Sequence, residues 1–149
     1  MPNASYRTAE SPSGGKISIP LPTHPLTVGT HVLPLVDLPK GTRIVAADLV
    51  IETAAVNASG TTVAKIRTSE ASPTTILGDT SINLEASAPA HYNLATAAGS
   101  GGPTSQATAR KKMADARVLN YEVTIATAAA TGAAVGVLIL ELVREDYAA

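Results

Sequence analysis

Asp48 and Glu52 stand four positions apart in a run that alternates apolar and polar residues, so both carboxylates project from one face of a strand. Two carboxylates on one face could act as the acid and base of a glycoside hydrolase. Lys65 and Arg67 recur with the same period on the next alternating run, and a solvated ion-pair face is the expected reading instead. Ser13-Gly14-Gly15-Lys16 echoes a phosphate loop. However, Glu10 occupies the place of the first glycine, and Ile17 replaces the hydroxyl that would hold Mg²⁺. In Gly99-Ser100-Gly101-Gly102, Thr104 stands where a dinucleotide fingerprint needs its third glycine, so a flexible loop is expected. His24, His31 and His91 are the only histidines, and none are paired at helical spacing for a metal. No cysteine nucleophile and no Gly-x-Ser-x-Gly elbow occur. Arg110-Lys111-Lys112 is the only basic cluster. Without aromatic neighbours it reads as a solvated face, or as a salt-sensitive contact with an acidic neighbouring subunit. The expectation is therefore no catalytic residue, no cofactor and no metal. Asn3-Ala4-Ser5 and Asn57-Ala58-Ser59 match the glycosylation sequon, which matters only in a secreted chain.

The elements behind these residues must be built from an unusual composition. The 149 residues suit one domain, yet they include no Phe, no Trp and only four Tyr. A core of Val, Ile, Leu and Ala gains less per residue at about 25 cal/mol per Å² than an aromatic one. Charged residues are only 15% of the chain, and the mean hydropathy is +0.18. A small-residue core and a lightly charged surface fit together if part of the surface is covered by other chains, so an oligomer or assembly subunit is expected. A net charge of −1 predicts no strong pull toward nucleic acid or an anionic membrane. Residues 1–20 show no basic region followed by an apolar run, so no secretory signal is expected. The most apolar stretch, Gly132 to Val143, is about a dozen residues, short of the roughly 20 a membrane helix needs.

Residues 1–30 are rich in proline and glycine, which forbids a helix and disfavours a central strand. Either a solvated tail or an extended arm results. Ile17, Ile19 and Leu21 alternate strictly, and with Leu26 they read as apolar pegs of an arm ordered on a neighbouring subunit. Residues 31–149 read as a β-domain. Val32 to Val56 is a strand, a turn at Pro39-Lys40-Gly41, and a longer strand with Val45, Ala47, Leu49 and Ile51 facing inward. Thr61 to Thr68 is expected as its antiparallel partner across the Asn57–Gly60 turn, setting Lys65 and Arg67 against Asp48 and Glu52. Proline and glycine cut 69–116 into short pieces: strands near 81–86 and 90–96, a loop at 97–105, and a turn or two of helix at 108–116. In 117–127, Leu119, Tyr121, Val123 and Ile125 point inward. Val135 to Val143 is apolar on both faces, with Leu138, Leu140 and Leu142 on one and Val137 and Ile139 on the other. A strand of that kind is either central or at a subunit contact; for the latter, Val137 and Ile139 are the candidates. A helix is its rival.

The run Leu38-Pro39-Lys40-Gly41-Thr42-Arg43-Ile44-Val45-Ala46-Ala47-Asp48-Leu49-Val50-Ile51-Glu52-Thr53 resembles a segment of small structural proteins of tailed bacteriophages, in which a Leu-Pro-x-Gly turn precedes a strand. The end of the chain is similar too, with Tyr121-Glu122-Val123-Thr124, an Ala/Thr/Gly turn and a last apolar strand. The resemblance implies an all-β fold, an antiparallel β-sandwich or jelly-roll with an extended N-terminal arm. It also implies a non-enzymatic role as capsid cement or decoration on the virion exterior. The implied partner is the major capsid protein, and the implied state is a homo-oligomer, a trimer. A head or tail fibre or neck component that binds a host receptor or glycan is the alternative.

Overall fold

The structure is a computed structural model that describes residues 15–144. Eight strands carry it. They are β1 (Gly15–Pro20), β2 (Gly29–Leu38), β3 (Thr42–Thr53), β4 (Thr61–Thr68), β5 (Thr75–Asn83), β6 (Ala90–Asn93), β7 (Arg117–Ala126) and β8 (Val135–Arg144). Two four-stranded antiparallel sheets form, ordered β1-β8-β3-β6 and β2-β7-β4-β5. The pairings β1·β8, β2·β7, β3·β6 and β4·β5 nest inside one another, as in a long hairpin wound over two layers. That is jelly-roll topology, and the expected all-β sandwich is what the chain adopts.

Period-2 patterning explains each layer. On β7, Leu119, Tyr121, Val123 and Ile125 are buried, while Asn120, Glu122 and Thr124 are partly exposed. On β8, Leu138, Leu140 and Leu142 enter the core. Val137 and Ile139 lie half-buried on the other face, opposite Pro20 and Val50, and Ser18 and Asp48, respectively. β8 is thus central in its sheet. Leu49, Ile51, Ile66, Ile76, Leu77 and Ile82 complete the interior, and Tyr121 is its one fully buried aromatic ring among the described residues.

The sequence reading needs three corrections. First, Val45 does not point inward but is exposed, and Ile44 is buried in its stead. The register of β3 on β8 slips between Ile44 and Ala46, so an extra residue changes the parity along the strand. Second, β3 and β4 do not pair: they lie in opposite sheets, and β4 lies between β7 and β5. The Pro39–Gly41 turn is likewise a corner between layers, closed by the Thr42 N–H to Pro39 O bond at 3.1 Å, with Gly41 at φ +85°. A short polar link between two half-apolar strands serves a hairpin or a sandwich corner equally well. Here the apolar faces meet across the core instead of lying side by side.

Third, the expected arm over 1–30 meets a strand. Residues 15–20 pair with β8 from Gly15 opposite Leu142 to Pro20 opposite Val137. Ile17, Ile19 and Leu21 pack against the chain's own core. Their alternation is that of an edge strand with one face inward. Of the rest of the expected arm, 21–28 is a connection and Gly29 and Thr30 open β2, while 1–14 lies outside the described residues.

The 94–116 connection holds a 3₁₀ turn at Ala98–Ser100 and one helical turn, α1 (Gln106–Ala109). Ser105 caps that turn, its Oγ accepting the Thr108 N–H at 3.0 Å. The glycine loop is not the flexible element expected: Gly101, Gly102 and Pro103 are buried. Gly78 N–H donates to Gly101 O and Asp79 N–H to Gly102 O, both at 2.8 Å. A Cβ on Gly101, at φ +98°, would lie 2.7 Å from the Tyr92 ring, and one on Gly102 would lie 1.8 Å from Thr96 O.

Candidate functional site

Antiparallel strands put the connections 21–28, 54–60, 84–89 and 127–134 at one end of the sandwich, and 39–41, 69–74 and 94–116 at the other. The two ends differ in chemistry. In the first set Glu85 is the only Asp, Glu, Lys or Arg, and its carboxylate is engaged by the Thr62 N–H at 2.7 Å. The second set carries Lys40, Glu70, Arg110, Lys111, Lys112 and Asp115.

Hydrogen bonds lace the charge-poor end together. Ala130 N–H donates to Leu26 O (2.8 Å), Val56 N–H to Gly132 O (3.0 Å) and Thr131 N–H to Val56 O (2.7 Å). The Asn57 amide donates to Ala128 O at 2.9 Å. His24 is buried beneath. Its Nε2 accepts the Ala134 N–H at 3.0 Å, so the proton sits on Nδ1, which donates to Pro25 O at 2.8 Å. The ring meets Tyr121 edge-on, with centroids 6.5 Å apart. Around this frame Leu26, Val28, Val56 and Val135 are exposed, the three valines by more than half. Exposed apolar side chains on a hydrogen-bonded, charge-poor rim suit contact with another protein.

At the other end, a cleft of about 200 Å³ opens between the β4–β5 connection, α1 and the start of β7. Its lining includes Glu70, Thr74, Thr108, Lys111, Lys112 and Arg117. Arg117 Nε lies 3.3 Å from Glu70 Oε1, and its Nη2 lies 3.7 Å from Asp115 Oδ2. The Thr74 hydroxyl donates to Glu70 Oε2 at 3.3 Å. Burial pushes the Glu70 carboxyl up, but bonds from Thr68 and the Glu70 backbone, the Arg117 charge and Thr74 outweigh it and hold the group below its ordinary value.

The residues singled out from the sequence fall as follows. Leu26 is at the charge-poor end, while Ile17, Ile19 and Leu21 pack against the core. The expected pairing of Lys65 and Arg67 with Asp48 and Glu52 is replaced. Arg67 Nε meets Glu122 Oε2 at 3.0 Å across β4 and β7, and Lys65 Nζ donates to Asp79 O at 3.2 Å. His31 Nε2 lies 2.8 Å from Thr27 O, and His91 is exposed opposite Val50 on the short edge strand β6. Among the described residues no three His, Cys, Asp or Glu side chains are grouped to hold a metal ion. Of the phosphate-loop echo, Gly15 and Lys16 open β1; Ser13 and Gly14 lie outside the described residues. Sequence reasoning singled out Arg110–Lys112 but missed Glu70 and Arg117, which lie far apart in the chain and meet only through the fold.

No family model matches the chain, and no curated protein matches it. Among solved structures, it is similar to a chain described as "Capsid of Ralstonia phage GP4", with a TM-score of 0.48 and 18% identity, covering 87% of this chain and 83% of that one.

Proposed function

We propose that the chain is a non-enzymatic structural protein of a tailed-phage virion, a cement or decoration subunit on the capsid exterior. The observation that carries the reading is the charge-poor end of the jelly-roll, a hydrogen-bonded rim that displays Leu26, Val28, Val56 and Val135. The resemblance of 38–53 and of the last two strands to small phage structural proteins supports it, and those segments are the β2–β3 corner with β3, and β7 with β8. In this reading the rim seats on the major capsid protein and bridges its subunits. Many weak contacts are then multiplied by the repetition of the shell. Val137 and Ile139, with Val50 beside them on the outer face, serve as the contact between copies in a homotrimer. Of the four pegs, Leu26 keeps an interface role, and Ile17, Ile19 and Leu21 anchor β1.

Counting copies per purified particle by quantitative mass spectrometry tests this. Hundreds of copies, on the scale of the shell protein, are expected. A dozen or fewer would move the chain to a neck, tail or fibre, and absence from particles would overturn the structural role.

A further inference from the structure

The virion reading leaves the basic cleft without a use. Its acidic side chains already face a cation: Glu70 is held by Arg117 and Thr74, and Asp115 lies near the same guanidinium. Lys111 and Lys112 are different. Both are exposed at the cleft, and neither side chain makes a hydrogen bond or ion pair among the described residues.

The backbone that carries them is pinned on both sides. Before them, Arg110 N–H donates to Gln106 O at 3.0 Å and the Arg110 Nε to Val45 O at 3.2 Å. After them, Met113 is buried, its N–H donating to Thr42 O (2.8 Å) and its carbonyl accepting from Gly41 N–H (2.9 Å). Two unpaired ammonium groups thus project from a fixed base beside a cleft whose lining carries three cations and one anion. A base ordered in advance lowers the entropy lost when a partner binds.

We propose that this cleft is a docking site for an acidic peptide segment of another protein chain, its carboxylates received by Lys111 and Lys112. Alternate side chains of an extended peptide are spaced by about 7 Å, so separate carboxylates can reach the lysines while the stretch between them passes the Glu70 wall. A nucleic acid fits less well. Its continuous phosphates would run against the Glu70 carboxylate, and no aromatic side chain lines the cleft to stack a base. The inference does not rest on the virion role.

Fluorescence anisotropy of the full chain with a labelled peptide of alternating glutamate and serine tests it. Saturable binding is expected, weakening with added salt, and dropping at least tenfold in the Lys111→Glu/Lys112→Glu double variant. The milder Lys111→Gln/Lys112→Gln pair should lose less. Lys16→Glu, on the exposed face of β1, changes the net charge by as much as the Gln pair does and should bind like the parent. Equal losses in the control and the double variant would overturn the site, as would an absence of saturation. Tighter, Lys111- and Lys112-dependent binding of a single-stranded oligonucleotide would overturn the choice of a peptide.

Discussion

Tyr121 places a hydroxyl where the core offers it no partner: its oxygen is buried without a hydrogen bond among the described residues, and burial pushes the phenol's pKa up. An unsatisfied buried hydroxyl costs on the order of 1 kcal/mol or more. Tyr121→Phe is therefore expected to be neutral or to stabilise by about 1 kcal/mol, read in urea unfolding. Glu70 works in the opposite sense. A carboxyl held below its ordinary value in the fold stabilises the fold above the carboxylate range, and that contribution is lost as pH falls through the depressed value. Thermal unfolding of Glu70→Gln from about pH 6 down to about pH 3 should show a shallower acid limb than the parent. Single inward residues such as Tyr121, Leu138 and Ile51 were legible in the sequence because alternation marks the side that faces the core. Val45 was not, because nothing in its neighbours announces the extra residue at the Ile44–Ala46 slip.

At the scale of elements, strands were legible and their partners were not. Alternation is a property of one strand, whereas pairing depends on which strand lies beside it after the chain has wound into two layers. So β7 and β8 were anticipated nearly to the residue, but the β3–β4 hairpin was replaced by a corner. The same distinction turns the apolar pegs of an expected arm into β1. Deleting residues 1–20 should lower the unfolding midpoint of the body markedly, because it uncovers the β8 edge and the core beneath Ile17 and Ile19. Survival of the parent midpoint would show that β1 is dispensable to the sandwich. The glycine loop was misread for a related reason: glycine signals backbone freedom equally where a loop moves and where it must press against a neighbour. Gly102→Ala should destabilise by more than about 1 kcal/mol in urea unfolding, since its Cβ has no room beside Thr96 O and the loop also holds β5.

The described body is polarised along its strands, with a charge-poor rim at one end and a charged cleft at the other. That polarity is distributed over connections far apart in the chain and emerges only once the nesting of the strands is known. Val56→Lys/Val135→Lys alters two exposed side chains on the rim, so the unfolding midpoint should stay within a few degrees, since surface changes are usually within about 0.5 kcal/mol. On the proposed role, pelleting with empty shells should be abolished. Retained co-sedimentation would move the contact elsewhere on the body. The position of β7 and β8, each flanked on both sides in its sheet, has a consequence for how the protein is made. β1, β3 and β6 have no complete sheet, and β2 and β4 are not joined, until the last two of the eight strands have left the ribosome. Folding therefore waits for β8 and, with β1 and β8 adjacent, belongs to the millisecond-to-second regime of non-local topologies. A chain truncated before Val135 should remain sensitive to protease along its length, whereas one that includes β8 should be resistant.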